Sequence, residues 1–168
     1  VFCGGHETQN YDAFCEVFGA EKKYDLSRFI EAHEKDYQRA IKEVKAGHKR
    51  THWMWYIFPQ IAGLGFSRTS QFYSISDLGE AKAYLQHEVL GAHMRELCEE
   101  LLALDTNDAT EMFAYPDDMK LKSCMTLFKL ADPEQKLFGA VLDKFFDGER
   151  DENTITILNN KFFKPTSR

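Results

Sequence analysis

Residues 49–67 read KRTHWMWYIFPQIAGLGFS. Two basic residues, a threonine and a histidine lead into six consecutive large apolar or aromatic side chains, Trp53 to Phe58. Pro59-Gln60 closes the run, and a small-residue turn carrying Gly63 and Gly65 follows. Periodicity alone cannot assign such a run, because a buried strand and a buried helical turn both present it. The rest of the chain decides. No second strand-like run is there to pair with it, and a lone strand leaves its backbone groups unpaired. The stretch therefore predicts a short buried helix from Thr51, stopped at Pro59.

With that settled, the remaining periodic segments are helical. From Asp25 onward, Leu26, Phe29, Ile30, Tyr37, Ala40, Ile41 and Val44 share one stripe of a 3.6-residue period, with Asp25 as cap and Gly47 as stop. The polar 33–35 stretch would kink this element or split it in two. A short helical piece is expected around Ser70 to Ile75, and a further helix after Ser76. A long one should run from Glu88 to Leu104, and a short one should follow Asp108. Pro116 opens the next at its permitted first turn, with Asp117 and Asp118 at the positive end of the dipole. Asp132-Pro133 starts a helix carrying Leu137 to Phe146, and Asp151 caps the last, through Leu158. Within the first two dozen residues, Tyr11, Phe14, Cys15 and Phe18 recur at helical spacing. The expectation is an all-α chain, a single compact domain of about seven to nine unequal helices and no regular bundle. Residues 1–24 form an extension with one short docked helix, 25–158 the main domain, and 159–168 a tail.

Length and composition agree. At 168 residues, with 43% apolar and 29% charged, the chain reads as one globular domain. The formal net charge of −6 argues against non-specific nucleic-acid binding, which needs a basic face. Cys3, Cys15, Cys98 and Cys124 form no C-x-x-C pair, which points to free thiols and a reducing, cytoplasmic setting. No apolar run reaches the roughly 18 residues of a membrane span. The opening Val1 suggests a processed chain or one missing its first residues.

No G-x-S-x-G, Walker A or H-E-x-x-H pattern occurs. His48 and His52 stand four apart without a neighbouring carboxylate, so no metal site is expected, and no cofactor. His52 borders the aromatic run and is a candidate acid–base or ligand contact. Trp53 and Trp55 point about 200° apart on a helix, so one ring should border a cleft or the N-terminal extension, and a ring open to a cleft could stack on a planar ligand. In PDDMKLKSCMTLF, residues 116–128, Lys122 and Ser123 flank an apolar stripe, and Asp118 lies one turn before Lys122. A lysine held there could bind phosphate or act as a nucleophile.

The segments HWMWYIFPQIAGLG, AKAYLQHEVLG and DDMKLKSCMTLF resemble a widespread all-α domain-of-unknown-function family, from about Asp25 to Leu158. Its members often carry a calpastatin-like label, although no inhibitor repeat of that disordered kind stands in this sequence. The chain is also similar, more loosely and at fold level, to NADAR-type domains linked to ADP-ribose chemistry. The resemblance brings no established reaction. On its motifs fall His52, Trp53, Trp55, Gln60, Asp118, Lys122 and Ser123. The expected function is therefore one pocket that binds a small polar or anionic, nucleotide-like ligand. His52 and Lys122 are its catalytic candidates, and Trp53, Trp55, Gln60, Asp118, Lys122 and Ser123 its ligand contacts, with His52 and Lys122 approaching one cavity. If it is an enzyme, it is a hydrolase of a nucleotide- or ADP-ribose-like substrate. The alternative is a protein-interaction module without catalysis. The oligomeric state is not legible.

Overall fold

The computed structural model describes residues 23–163, with side chains through Lys161. The expected helix over Tyr11–Phe18 and the end of the tail lie outside the described residues. Among the described residues nine helices follow in order: α1 Ser27–Ala46, α2 Met54–Ile57, α3 Arg68–Phe72, α4 Leu78–Gln86, α5 Glu88–Ala103, α6 Ala109–Phe113, α7 Asp117–Ala131, α8 Leu137–Phe146 and α9 Glu152–Phe163. Among the described residues the fold is all-α. Its one extended feature is an isolated parallel bridge between Ile61 and Ile75.

Two helices carry the packing. Helix α5 lies against α1, α4 and α8; α7 lies against α4, α6, α8 and α9. The apolar stripe of α5 (Leu90, Met94, Leu97, Cys98, Leu101) is buried as its period requires. Helix α7 departs from a one-sided stripe, since every residue from Ser123 to Phe128 is buried. A helix covered on most sides belongs to the centre of the domain, and here Ser123 and Thr126 are inside with Leu121, Met125 and Phe128. Both buried hydroxyls are satisfied along their own helix, Ser123 Oγ donating to the Met119 carbonyl at 3.2 Å and Thr126 Oγ1 to the Lys122 carbonyl at 2.8 Å.

The element ends show how local chemistry sets the boundaries. Helix α1 runs unbroken through residues 33–35, because His33 is buried rather than solvated. Gly47 takes the left-handed conformation at its end, φ 79°. Asp108 and Asp151 cap α6 and α9 through their carboxylates. Helix α3 is capped by Ser67, so it starts earlier than expected, and it ends at Phe72 because Ile75 joins the bridge. Asp77 rather than Ser76 caps α4. His87 caps α5, its Nδ1 accepting from the Val89 and Leu90 amides at 3.1 and 3.2 Å. Helix α8 begins at Leu137, after turns over 132–136. Helix α9 continues past Leu158 to Phe163. No helix among the described residues is long and apolar enough to cross a membrane.

Candidate functional site

Glu43, near the end of α1, fixes the approach to the aromatic run. Its carboxylate accepts from the Arg50 amide (2.7 Å), the Thr51 amide (3.1 Å), the Thr51 hydroxyl (2.7 Å) and the Trp53 indole Nε1 (2.9 Å). Burial pushes the Glu43 carboxyl upward, and these hydrogen bonds more than offset it, leaving the pKa below the ordinary glutamate value. With its indole N–H satisfied, Trp53 is fully buried against Phe58 and Phe113. The Lys49 ammonium lies 5.1 Å from its ring centroid and 2.9 Å from Asp117. Trp55, two residues on, turns the other way and is half-buried. One ring closes the core and the other meets a cleft.

That cleft is built from the chain after Pro59. The Ile75 amide donates to the Gln60 carbonyl and the Ala62 amide to the Ile75 carbonyl, both at 2.8 Å, and so pin the two loop segments side by side. Gly63, at φ 108°, adopts a backbone that other residues rarely take. Gly65 faces α3 so closely that a Cβ would stand 2.8 Å from that of Ser70. Trp55, Gln60, Ile61, Gly63, Gly65, Ser70, Gln71, Tyr73 and Ser74 line a narrow cleft of about 310 Å³ with its mouth included. Its walls are two aromatic rings and its polar groups are amides and hydroxyls. No carboxylate, imidazole or thiol lines it. The Lys120 ammonium stands 5.7 Å from the Trp55 ring centroid. Most of that space is its open mouth: the enclosed part is about 20 Å³, room for about one water, so a planar group would lie across the mouth against Trp55 rather than inside the cleft.

Trp55 and Gln60 are thus brought together. The other candidates go elsewhere. His52 is exposed, and its carbonyl accepts from the Tyr56 hydroxyl at 3.3 Å. Trp53 belongs to the core. Asp118 is buried beneath α6, taking the Thr110 hydroxyl at 2.6 Å and the Met119 amide at 2.8 Å. It therefore does not pair with Lys122, as the four-residue spacing suggested. Lys122 reaches Glu149 at 3.1 Å, its ammonium 5.8 Å from the Phe146 ring centroid. It lines a shallower basin of about 800 Å³ with residues 149–153. Ser123 is buried and bonded within α7. The residues expected at one cavity divide between the Trp55 cleft, the Lys122 basin, the core and the surface.

Sequence reasoning missed a second polar cluster, inside the α1–α5 contact. His33 Nε2 lies 3.0 Å from the Tyr56 carbonyl, an acceptor only, so that nitrogen carries the proton. His33 Nδ1 then accepts from His93 Nδ1 at 2.9 Å. The His93 ring stacks on Tyr37 with centroids 3.4 Å apart. The Tyr37 hydroxyl donates to Glu96, and that of Tyr56 to Asp36. Burial drives the His33 pKa down to about 4 and that of His93 in the same direction. Burial, with the neighbouring carboxylates, also raises both tyrosine pKa values. Every one of these groups is matched, which makes the cluster a structural tie between helices. Among the described residues no group of three His, Cys, Asp or Glu side chains could hold a metal ion.

Residues 23–158 match a family described as "Protein of unknown function (DUF1810)". Among solved structures, the chain is similar to the conserved hypothetical protein Rv1873 from Mycobacterium tuberculosis. The two share 42% identity over 81% of this chain and 97% of that one, with a TM-score of 0.79. No curated protein matches the sequence.

Proposed function

The chain belongs to the DUF1810 family of proteins of unknown function, and for it we propose that the domain binds a small polar, nucleotide-like ligand in the cleft beside Trp55. The observation that carries the reading is the split between the tryptophans. Trp53 is sealed in the core, whereas Trp55 presents a half-open ring to a cleft whose remaining lining is mostly polar. An aromatic face suits a planar ring, and Gln60 and Gln71 supply donors and acceptors for its edge. Lys120 beside the same ring supplies the positive charge for an anionic portion. With only about 20 Å³ enclosed, the cleft takes the edge of the planar part, and the rest of the ligand lies across its mouth and rim.

This is a binding site rather than a hydrolytic one. General acid–base work needs a titratable group within hydrogen-bond reach of the reacting atoms. The lining supplies none that would serve: it holds no carboxylate, imidazole, ammonium or thiol, and Tyr73 is its one titratable side chain. ADP-ribose belongs among the ligands to try because of the fold-level likeness to NADAR-type domains. The test is a thermal-shift screen with nucleosides, nucleotides, nucleotide sugars and ADP-ribose on the intact chain, repeated with Trp55→Ala and Gln60→Ala. A stabilising ligand whose effect both substitutions remove supports the reading. A screen without response, or a response indifferent to both, defeats it.

The interaction-module reading has one observation in its favour. Phe66 and Phe72, on either side of the cleft-forming loop and α3, are 86% and 57% exposed.

A further inference from the structure

Two exposed phenylalanines on one short segment ask for a cover. Phe72 makes an edge-to-face contact with Tyr73 at 4.8 Å between centroids, yet most of its ring is open. Phe66 is more open still, and the Gln71 side-chain amide donates to its carbonyl at 3.0 Å, fixing the loop on which it stands. Arg68 lies exposed between them in sequence.

The described chain enters the fold at this same place. The Tyr24 hydroxyl donates to Asp77 at 2.8 Å, and its ring lies where a Cβ at Gly79 would stand. Arg28 Nε donates to the Phe72 carbonyl at 2.8 Å, and Arg28 Nη2 to the Ser74 carbonyl at 2.7 Å. Whatever precedes Lys23 therefore leaves α1 beside residues 72–79. The preceding sequence carries Tyr11, Phe14, Cys15 and Phe18 at helical spacing, with Asp12 flanking that face next to Cys15. Phe18 stands five residues before Lys23, within about 17 Å of extended chain.

We propose that residues 11–18 dock intramolecularly on the Phe66–Phe72 surface. Their aromatic face would cover the two phenylalanines, and Asp12 at its flank would meet Arg68. Apolar area on both sides, acid on one side against base on the other, and a short tether all favour this occupant over a second copy or a foreign peptide. The inference stands apart from the ligand reading, because it concerns the rim residues and not the cleft lining.

The test is a double-substitution cycle on the full chain, followed by thermal unfolding. Phe72 is largely exposed, so Phe72→Ala removes little core packing. Phe14→Ala and Phe72→Ala should each lower the melting temperature by about 5 °C, given the usual response of a domain this size. The double substitution should lower it by scarcely more than one alone, because contacting residues couple and distant ones add. Melting temperatures independent of protein concentration complete the expected result. Additive losses, or no loss from Phe14→Ala, overturn the proposal. Coupling that appears only with concentration-dependent melting overturns it in favour of docking between two copies.

Discussion

The buried His33–His93 pair makes stability depend on pH in a way that can be worked out. An unfolded histidine titrates near 6.5, whereas His33 in the fold titrates at about 4, chiefly because burial disfavours its charged form. Between these values the unfolded chain binds a proton that the folded chain refuses, so acid favours unfolding. The contribution of His33 is complete above about pH 6.5 and falls away toward pH 4, a total of about 3 kcal/mol at roughly 1.4 kcal/mol per unit. From pH 7 to pH 5 the loss is about 2 kcal/mol. His93, shifted the same way by burial, adds to it. Glu43, whose pKa lies below the ordinary glutamate value, keeps its contribution until the pH falls below that ordinary value, and so leaves this window clean. The assay is urea unfolding at pH 7 and pH 5 of the native chain and of His33→Gln, whose side-chain amide can still donate to the Tyr56 carbonyl. The native chain should lose about 2 kcal/mol more than the variant across the window. Equal slopes would refute the reasoning, since the groups common to both chains cancel.

Other outcomes follow from packing and pairing. Gly91→Ala should cost about 2–3 kcal/mol in denaturant unfolding, because its Cβ would overlap the Leu85 carbonyl oxygen, which is backbone and cannot swing away. Glu43→Ala should cost about 2 kcal/mol, since the buried Trp53 N–H loses its acceptor together with three other donors, and Glu43→Gln should cost less. Lys122→Ala should change stability by under about 1 kcal/mol, its partner Glu149 being largely solvated, and should leave a Trp55-dependent ligand response intact.

Much of the helical framework was legible because it rests on local rules. The stripe of α5, the Asp108 and Asp151 caps and the Gly47 stop are written in spacings of three or four residues. So was the divergence of Trp53 and Trp55, although the helix starts at Met54 rather than Thr51 and Trp53 stands just before it. Which ring would open was not legible, because the Glu43 carboxylate that claims the Trp53 indole is ten residues away. The start of α3 was misplaced because so short a helix carries no apolar period to mark its ends, whereas Ser67 caps it and Ile75 is taken by the bridge to Ile61. Asp132-Pro133 has the look of a helix start, yet the chain turns there and α8 begins at Leu137. His87 was passed over because histidine is a rare cap. Partners far apart in sequence, such as Lys122 with Glu149 or His33 with His93, leave no local signal, and they are what divided the expected site.

The central claim is that the Trp55 ring faces a ligand cleft while Trp53 closes the core. The chain has two indole N–H groups, so two-dimensional amide NMR resolves the claim directly, with Trp55→Phe assigning the signals. Titration with the ligands of the thermal screen should move the Trp55 indole resonance saturably and leave that of Trp53, bonded to Glu43, in place. A Trp55 resonance unmoved by every ligand that stabilises the protein would contradict the account.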